Sequence, residues 1–186
     1  MNIRQAIWER RAYRSLAPVE ITDELIEDLV FSLRLAPSCF NNQPWRLVFV
    51  RSSRMLEKMH EALSSGNAWA RAASLIIAVF SKAEDDCVIK DREYHQFDCG
   101  LAVGFLLLKA TELGLVAHPI AGYSPKKTRE ILGIPEEYKV ITLIIVGKHA
   151  DKISPVLSEN HRAAEKKRPE RKEISEFVFI DSFSGR

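Results

Sequence analysis

The spacing of apolar residues predicts helices that alternate with about five short strands. Apolar positions recur at helical spacing in segments around residues 2–14, 22–36, 52–66, 97–113 and 124–133. Short runs of β-branched and aromatic residues predict strands at residues 46–50, 75–80, 116–120, 140–146 and 177–180. Prolines and glycines separate these segments. The pattern predicts a mixed α+β fold in which helices pack on a sheet.

One predicted helix stands out because it is apolar on nearly every face. It covers residues 97–113, and such a helix is typical of a central, buried position. Gly100 and Gly104 lie four residues apart in it and would let another helix or a ligand approach the backbone. Residues 82–96, which precede it, are highly charged, so we expect them to be exposed.

The composition changes near residue 148. Residues 148–173 are polar and basic without a hydrophobic period, which predicts an extended arm over 148–186. The predicted strand at 177–180 follows this arm and is hard to place in the chain's own core, so pairing with a second subunit's sheet edge is one interpretation. The basic run at 166–172 is interpreted as a solvated surface, an anion clamp or a weak nucleic-acid patch.

Composition and charge exclude several classes of function. The 186 residues are 46% hydrophobic and 28% charged, which suits one domain with a real core. The net charge of +2 is too small to indicate nucleic-acid binding by itself. The N-terminus has no apolar run of signal-peptide length, and no run is long enough to span a membrane. We therefore expect a cytoplasmic protein that binds neither nucleic acid nor membranes.

The sequence shows no sign of a metal site or a nucleotide-binding loop. The cysteines Cys39, Cys87 and Cys99 are odd in number and lack C-x-x-C spacing, so we expect neither a disulfide framework nor a zinc site. The five histidines are scattered without metal-ligand spacing. The chain contains neither G-x-G-x-x-G nor a P-loop, so a Rossmann nucleotide domain is not supported.

The densest chemistry lies in the loop at residues 36–45. Between two prolines, the loop carries a hydroxyl, a thiol and three amides, at Ser38, Cys39, Asn41, Asn42 and Gln43. A stiffened loop with so many hydrogen-bonding groups is typical of ligand contact, whereas a self-satisfied turn is the alternative. Trp45 is predicted to pack in the core. Cys39 as a nucleophile needs a partner that the sequence does not place, so an ordinary buried thiol is favoured.

Three further places offer groups for an anion or a flat ring. Arg10, Arg11 and Arg14 suit a phosphate, a carboxylate or the edge of a heteroaromatic ring; they equally suit the dipole at a helix C-terminus. Asn67 follows a helix-stopping glycine and is either a ligand contact or a cap. Residues 121–122, Ala-Gly, offer bare backbone between a strand and a helix.

The order of these motifs carries more information than any one of them. In sequence they read Arg10-Arg11-x-x-Arg14, Ala36-Pro37-Ser38-x-x-Asn41-x-Gln43-Pro44-Trp45, Asp98-x-Gly100, Leu113-Gly114-Leu115 and a hydrophobic strand that ends in Gly147. This order resembles the FMN-dependent nitroreductase family across essentially the whole chain. The proline-flanked loop is its most specific motif.

The resemblance implies an architecture and a set of partners. It implies a single FMN-binding domain over residues 1–186, with a central, mostly antiparallel five-stranded sheet flanked by helices. It also implies a homodimer that exchanges the C-terminal strand and holds two FMN sites at its interface. Reduced NAD(P)H and an electron-poor acceptor such as a nitroaromatic or a quinone would react there in alternation, with the chemistry carried by FMN rather than by a catalytic side chain.

By position, the resemblance also assigns roles to individual residues. Arg10 and Arg11 would lie near the ribityl phosphate, and Arg14 would lie near the pyrimidine edge of the flavin. Pro37, Ser38 and Cys39 would line the ring from the other subunit. From their spacing, Asn41 and Gln43 are interpreted as amides that fix that loop. The remaining contacts would be Asn67 to the pyrimidine edge, the Ala121–Gly122 backbone to the ring face, and Arg171 and Lys172 to the phosphate, with Arg168 as a rival for this last role.

The chain departs from the family pattern in three places. Ala12 stands in the cofactor-binding stretch where the family commonly has serine, so a hydroxyl contact is lost. Ala121 stands where some members have an acidic residue. Residues 82–96 leave little room for a helical lid, which predicts an open, shallow site. Alternatives are another flavin reaction on the same fold (dehalogenation, flavin fragmentation or alkene reduction), a non-catalytic flavin-binding protein, and a nucleic-acid binder.

Overall fold

The computed structural model describes residues 1–183, which fold around one central sheet. The strands are β1 (Leu16–Ala17), β2 (Arg46–Val50), β3 (Leu75–Ser81), β4 (Val88–Ile89), β5 (Arg92–Glu93), β6 (Leu115–Ile120) and β7 (Lys139–His149). The helices are α1 (Ile3–Glu9), α2 (Asp23–Arg34), α3 (Ser53–Met59), α4 (His95–Glu112), α5 (Pro125–Leu132) and α6 (Glu159–Lys166).

The sheet has five strands and all of its pairings are antiparallel. The order is β1-β7-β3-β2, with β6 also paired to β7, while β4 and β5 form a separate two-stranded hairpin. The long strand β7 is therefore the spine that joins β3, β6 and β1. This confirms the predicted α+β fold with a mostly antiparallel five-stranded sheet.

The two faces of the sheet carry separate apolar clusters. Alternation along β3 sends Leu75 and Ile77 to the cluster beneath α2 and α4, and Ile76 to the cluster with Met59 and Trp69. All three β3 residues are fully buried. A strand that is covered on both faces has to be apolar at successive positions, which explains the uninterrupted runs in the sequence.

Helix α4 is buried on one side only. Cys99, Ala102 and Leu106 face the sheet and are fully buried. Phe97 on the other side is 63% exposed, and a Cβ added at Gly100 or Gly104 would meet no atom within 4 Å. The predicted burial on every face is therefore correct for the sheet side and wrong for the outer face of the single chain.

The first helix is shorter than predicted. It ends at Glu9, and Arg10 closes its last turn through a 2.9 Å bond from its N–H to the carbonyl of Ala6. The backbone then leaves the helix because Leu16 and the next residue pair with the end of β7. Arg10 and Arg14 consequently do not share a helical face, and the helix-dipole interpretation applies to Arg10 at most.

The C-terminal arm also differs from its prediction. Residues 177–180 form no strand in the described chain; a short turn at Ile174–Glu176 precedes them, and Ile180 is 83% exposed. The fifth strand of the sheet is β1, whose two residues are too few to give a hydrophobic pattern. The arm instead contains α6, which was missed because Glu165 is its only buried residue. Exchange of the arm between subunits stays a prediction.

Two other features concern the helices. The third helix does not run to Gly66: it ends at Met59, and Gly66 lies in a separate helical turn at Ser65–Ala72.

Among residues 1–183, no helix is both long enough and apolar enough to cross a membrane.

Candidate functional site

The backbone of residues 10–15 is held against α6 by one buried carboxylate. Glu165, whose side chain is 3% exposed, accepts the N–H of Arg14 at 2.7 Å and that of Ser15 at 3.3 Å. His149 Nε2 lies 3.6 Å from the same carboxylate. Arg11 adds a bond from its guanidinium to the carbonyl of Ala164 at 2.6 Å. The arginine segment and the C-terminal arm are therefore one structural unit.

A cleft rich in guanidinium groups lies between α1 and the arm. Its volume is about 580 Å³ and its lining residues are Arg4, Ile7, Trp8, Arg10, Arg168 and Arg171. Arg168 donates to the carbonyls of Trp8 and Arg10, the latter at 3.0 Å. Burial, and then the nearby guanidinium groups of Arg168, Arg171 and Arg11, lower the pKa of Arg10. So many converging cations suit a multiply charged anion such as a phosphate.

The arm residues assigned by sequence divide into two kinds. Arg171 lines the arginine cleft, as does its rival Arg168. Lys172 is exposed and is not one of the lining residues. Ala12 is also exposed, whereas Arg11 turns toward Ala164 and lies over the ring of Tyr13 at 4.8 Å.

Arg14 does not line this cleft and instead contacts a second patch. Its guanidinium lies 5.8 Å from the centre of the Trp69 indole. Burial lowers the pKa of Arg14, and the carboxylate of Glu165 opposes that effect. Trp69 Nε1 donates to Asn67 Oδ1 at 3.0 Å, and Asn67 Nδ2 donates to the carbonyl of Gly122 at 2.8 Å. The structure thus brings together Arg14, Asn67 and Gly122, which are far apart in the sequence.

Gly122 is fixed by close packing. A Cβ at this position would lie 2.5 Å from Asn67 Nδ2 and 2.6 Å from Ser64 Oγ. The Ser64 N–H also donates to the Gly122 carbonyl, at 3.0 Å. Glycine is therefore required here by its neighbours. Ala121, next to it, is exposed.

Replacing Gly122 with alanine is expected to destabilise the protein by about 2 kcal/mol, because the new methyl group displaces the Asn67 and Ser64 side chains. Chemical denaturation measures the change. Gly66→Ala is the matched control, since a Cβ there would meet no atom within 4 Å. Equal stability of the two variants would contradict the packing argument.

A buried histidine that the sequence did not single out supports the same patch. The ring of His118 lies 4.8 Å from that of Trp69, and its Nδ1 donates to the carbonyl of Tyr13 at 3.1 Å. Burial lowers the pKa of His118 to about 4, so the ring is neutral at physiological pH. The signal for this residue in the sequence was a histidine within the otherwise apolar run at residues 116–120.

His118 gives the protein a specific pH dependence. Its pKa falls from 6.5 in the unfolded chain to about 4 in the folded one, so the unfolded chain binds more protons between these values. Stability is therefore complete above pH 6.5 and decreases as the pH falls toward 4. Between pH 7 and pH 5 we expect wild type to lose about 2 kcal/mol more than His118→Gln, measured by denaturation at each pH. An identical pH slope in both proteins would contradict this.

The loop at residues 36–45 is closed by its own polar groups. Gln43 N donates to Ser38 Oγ at 3.0 Å, and the Gln43 side chain donates to the carbonyl of Asn41 at 3.2 Å. Cys39 N donates to Asp98 Oδ2 at 2.6 Å. Burial raises the pKa of Asp98, which the Cys39 N–H opposes. Gln43 thus has the loop-fixing role that the sequence suggested.

The Asn41 side chain does not have the loop-fixing role predicted for it, and the other groups of the loop differ in exposure. The Asn41 side chain is exposed and makes no hydrogen bond within the described chain; Asn42 reaches Asp86 Oδ1 at 3.2 Å instead. Pro37 is exposed. Trp45 is buried in the core, as predicted.

Cys39 is the clearest correction. It forms a disulfide with Cys87, with a Cα–Cα distance of 6.1 Å and 48 positions of separation. The expectation of no disulfide framework, and of Cys39 as an ordinary buried thiol, is therefore wrong. Spacing alone could not reveal the pair, because the β4–β5 hairpin brings Cys87 to the loop. Cys99 remains a free thiol, and burial raises its pKa to about 11.

Two groups of candidate residues thus lie apart in the single chain. Within residues 1–183, no hydrogen bond or ion pair joins the 38–43 loop to the arginine cleft or to the Trp69 patch. That this loop contributes to the partner's site stays a prediction.

Comparison with known proteins identifies the fold and the family. The family model described as "Nitroreductase family" matches residues 7–148. A protein of Archaeoglobus fulgidus, provisionally named as an NADH dehydrogenase/NAD(P)H nitroreductase, is 33% identical over 153 residues, covering 78% of this chain and 84% of the relative. An iodotyrosine deiodinase of Haliscomenobacter hydrossis is 28% identical, covering 83% of each chain.

Solved structures agree with this result. A crystal structure described as an oxidoreductase containing FMN superposes with a TM-score of 0.84 at 27% identity, covering 97% of this chain and 92% of that one. A nitroreductase family protein from Clostridium difficile superposes with a TM-score of 0.79 at 22% identity, covering 98% of this chain and 99% of the other, and shows the fold alone. The chain therefore belongs to the nitroreductase family and has the α+β fold of that family's oxidoreductases.

Proposed function

We propose that this protein is an FMN-dependent NAD(P)H oxidoreductase that reduces nitroaromatics, quinones or similar electron-poor acceptors. The observation that carries the proposal is the arginine cleft next to the Arg14–Trp69 patch, which offers cations for a phosphate and donors for a ring. The name of the A. fulgidus relative and the FMN-containing solved structure support it.

The phosphate of FMN fits the arginine cleft. Arg10, Arg168 and Arg171 line it, and the pKa of Arg10 is lowered first by burial and then by repulsion from the neighbouring guanidinium groups. A dianionic phosphate relieves this repulsion and accepts several charge-assisted hydrogen bonds. Arg11 adds positive charge near Arg10 without lining the cleft, because its guanidinium donates to the Ala164 carbonyl of α6.

The ring end of FMN fits the patch around Trp69. Arg14 is held there by its backbone bond to Glu165 and by its position over the indole. Asn67 retains one amide hydrogen beyond its bond to Gly122, which suits the pyrimidine edge. When bound, FMN supplies the hydride chemistry, and a fixed guanidinium at that edge favours its reduced, negatively charged form. The protein supplies binding, orientation and charge, and no acid or base side chain is required.

A homodimer is part of the proposal. Helices α1, α2 and α4 border an apolar groove of about 310 Å³, whose lining includes Ile3, Leu35 and Phe105. Each of these three side chains is more than one third exposed, and the glycines of α4 leave open space beside them. A second copy of the chain would bury this surface and present Pro37, Ser38 and Cys39 to the partner's flavin. Analytical ultracentrifugation should show a dimer.

The direct experiment is the spectrum of the purified protein. We expect a yellow protein that binds one FMN per chain and oxidises NADH or NADPH, with anaerobic stopped-flow reduction measured for each nicotinamide. Alternation of the two half-reactions should give parallel lines in double-reciprocal plots. A protein that neither binds FMN nor oxidises NAD(P)H when FMN is added would refute the proposal.

A second reaction on the same fold is reductive dehalogenation. Its support is the relative named iodotyrosine deiodinase, which matches over most of this chain. The β4–β5 hairpin occupies residues 88–93 and forms no helical lid over a substrate. An anaerobic panel of nitroaromatics, quinones and halogenated phenols distinguishes the two reactions, and faster turnover of the halogenated compounds would favour dehalogenation.

A further inference from the structure

The disulfide joins two surface segments that belong to different parts of the fold. Cys39 begins the turn Cys39–Asn41, and Cys87 directly precedes β4 of the two-stranded hairpin. Both residues are only half-buried. Cys99 is separate from the pair and buried. A small molecule or another protein can therefore reach the cross-link more readily than it can reach the third cysteine.

The loop that the disulfide holds has an unfavourable backbone. Phe40, Asn41 and Gln43 adopt φ values of 47°, 59° and 50°, in the left-handed region that non-glycine residues avoid. The Phe40 side chain is 89% exposed, so packing does not hold it in place. Such a conformation persists only when surrounding contacts impose it.

The contacts that impose this conformation are hydrogen bonds within the loop and links to the rest of the protein. Within the loop, Gln43 N donates to Ser38 Oγ at 3.0 Å and the Gln43 side chain donates to the Asn41 carbonyl at 3.2 Å. The N–H groups of Asn41 and Asn42 donate to the carbonyls of Ser38 and Cys39, each at 3.0 Å. To the rest of the protein, Cys39 N donates to Asp98 Oδ2 at 2.6 Å, and the Asn42 amide donates to Asp86 Oδ1 at 3.2 Å. The disulfide is the covalent member of this set, and it fixes the loop at the start of its left-handed stretch.

A carboxylate beside the sulfur atoms affects how readily the disulfide is reduced. The sulfur atoms of Cys39 and Cys87 and a carboxylate oxygen of Asp86 all lie within 4.8 Å of one another. A neighbouring carboxylate disfavours thiolates, so it favours the oxidised pair. A monothiol would form a mixed disulfide that readily reverses. A dithiol avoids this reversal because its second thiol completes the exchange within the same molecule.

We propose that Cys39–Cys87 is a thiol–disulfide exchange site for dithiol reductants and that reduction releases the loop at residues 38–43. One thiolate of the dithiol attacks a sulfur atom of the pair, which forms a mixed disulfide and frees the other cysteine. The second thiol of the reductant then attacks the mixed disulfide and leaves as a cyclic disulfide. Two electrons and two protons pass from the dithiol to Cys39 and Cys87, which end as thiols.

The consequence for flavin binding rests on the proposed function. If Pro37, Ser38 and Cys39 support the partner's flavin, release of the loop weakens FMN retention and slows NAD(P)H oxidation. The exchange reaction and the release of the loop do not depend on any flavin. They can therefore be measured separately.

The first measurement counts thiols by mass spectrometry. Protein purified without reductant is denatured with an alkylating agent present, and an equal sample is first treated with dithiothreitol. With three cysteines in the chain and Cys99 free, we expect one alkylated cysteine before reduction and three after it. The peptide pair that contains Cys39 and Cys87 should appear only without reductant. Three alkylated cysteines in the untreated protein would overturn the proposal.

The second measurement tests release of the loop in the folded protein. Chymotrypsin cleavage after Phe40 should become at least about 10-fold faster on reduction, because proteolysis follows local opening. Phe177, which is 59% exposed and far along the arm, is the internal control and should be cleaved at an unchanged rate. The double variant C39S/C87S without reductant should behave as reduced wild type and should not respond to dithiothreitol.

The outcomes separate this proposal from the proposed function. An unchanged cleavage rate after Phe40 in reduced wild type would overturn the release of the loop, whatever the double variant does. Absence of FMN binding in both redox states would refute the flavin function and leave the thiol counts and cleavage rates to decide the exchange site. Tighter FMN binding on reduction would contradict the supporting role given to the loop.

Discussion

Replacing Arg168 with alanine is expected to weaken FMN binding about 100-fold, because a charge-assisted contact to phosphate and the contacts that shape its cleft are lost together. Arg168 lines the arginine cleft and donates to the carbonyls of Trp8 and Arg10. Its removal takes away one positive charge and loosens the end of α1. Titration of the apoprotein with FMN, followed by flavin fluorescence, measures the affinity.

Lys172→Ala is the matched control for Arg168→Ala. Lys172 lies on the same arm with the same charge, but it is exposed and does not line the cleft. We expect the FMN affinity of Lys172→Ala to stay within about 2-fold of that of wild type. The gap between wild type and Arg168→Ala should narrow at high salt, since screening weakens the phosphate contact in wild type. Equal losses of FMN affinity in both variants would mean that the arm contributes only a diffuse positive electrostatic field.

The sheet could be predicted because its strands are covered on both faces. Residues 75–80 are apolar at successive positions, as are residues 140–146 apart from Thr142, and the structure places both segments in the centre of the sheet. The apolar run at 97–113 likewise became the core of α4. The sequence could not show which face of α4 lacks a partner. An apolar helix has the same sequence pattern whether its own chain or a second copy of the chain covers it.

The end of α1 was mispredicted because its cause lies far away in the sequence. Local spacing allows Arg10 and Arg14 to continue the helix. The structure instead gives the N–H groups of Arg14 and Ser15 to Glu165, so a tertiary bond replaced a helical one. The charged 159–166 segment gave no hydrophobic signal for this contact, because its buried residue is a carboxylate.

The sequence predicted which residues belong to the candidate site better than it predicted the contacts between them. Arg10, Arg171, Asn67 and Gly122 do meet other candidate residues, yet Asn67 first serves as a link between Trp69 and Gly122. The disulfide of Cys39 escaped prediction because its partner lies 48 positions away in a highly charged segment. Pairings of this kind depend on how loops fold over one another, which residue spacing does not encode.

Replacing Glu165 with alanine is expected to cost about 3 kcal/mol of stability, because two backbone N–H groups at the buried position lose a charged acceptor. Glu165 accepts from Arg14 at 2.7 Å and from Ser15 at 3.3 Å, and it is 7% exposed as a whole residue. Chemical denaturation measures the loss. Glu165→Gln, which keeps an acceptor oxygen but not the charge, should fall between wild type and alanine.

Glu165 acts on the site as a positioning residue, so its variants need a readout beyond stability. Hydrogen exchange at the amides of Arg14 and Ser15 should accelerate in Glu165→Gln while the amides of β3 stay protected. FMN affinity should fall in parallel, because Arg14 and the arm that carries Arg168 lose their common anchor. Glu170→Gln is the control, since Glu170 is on the same arm and its side chain is 89% exposed. If Glu165→Gln loses stability but binds FMN as tightly as Glu170→Gln, the carboxylate holds the fold together without setting the geometry of the site.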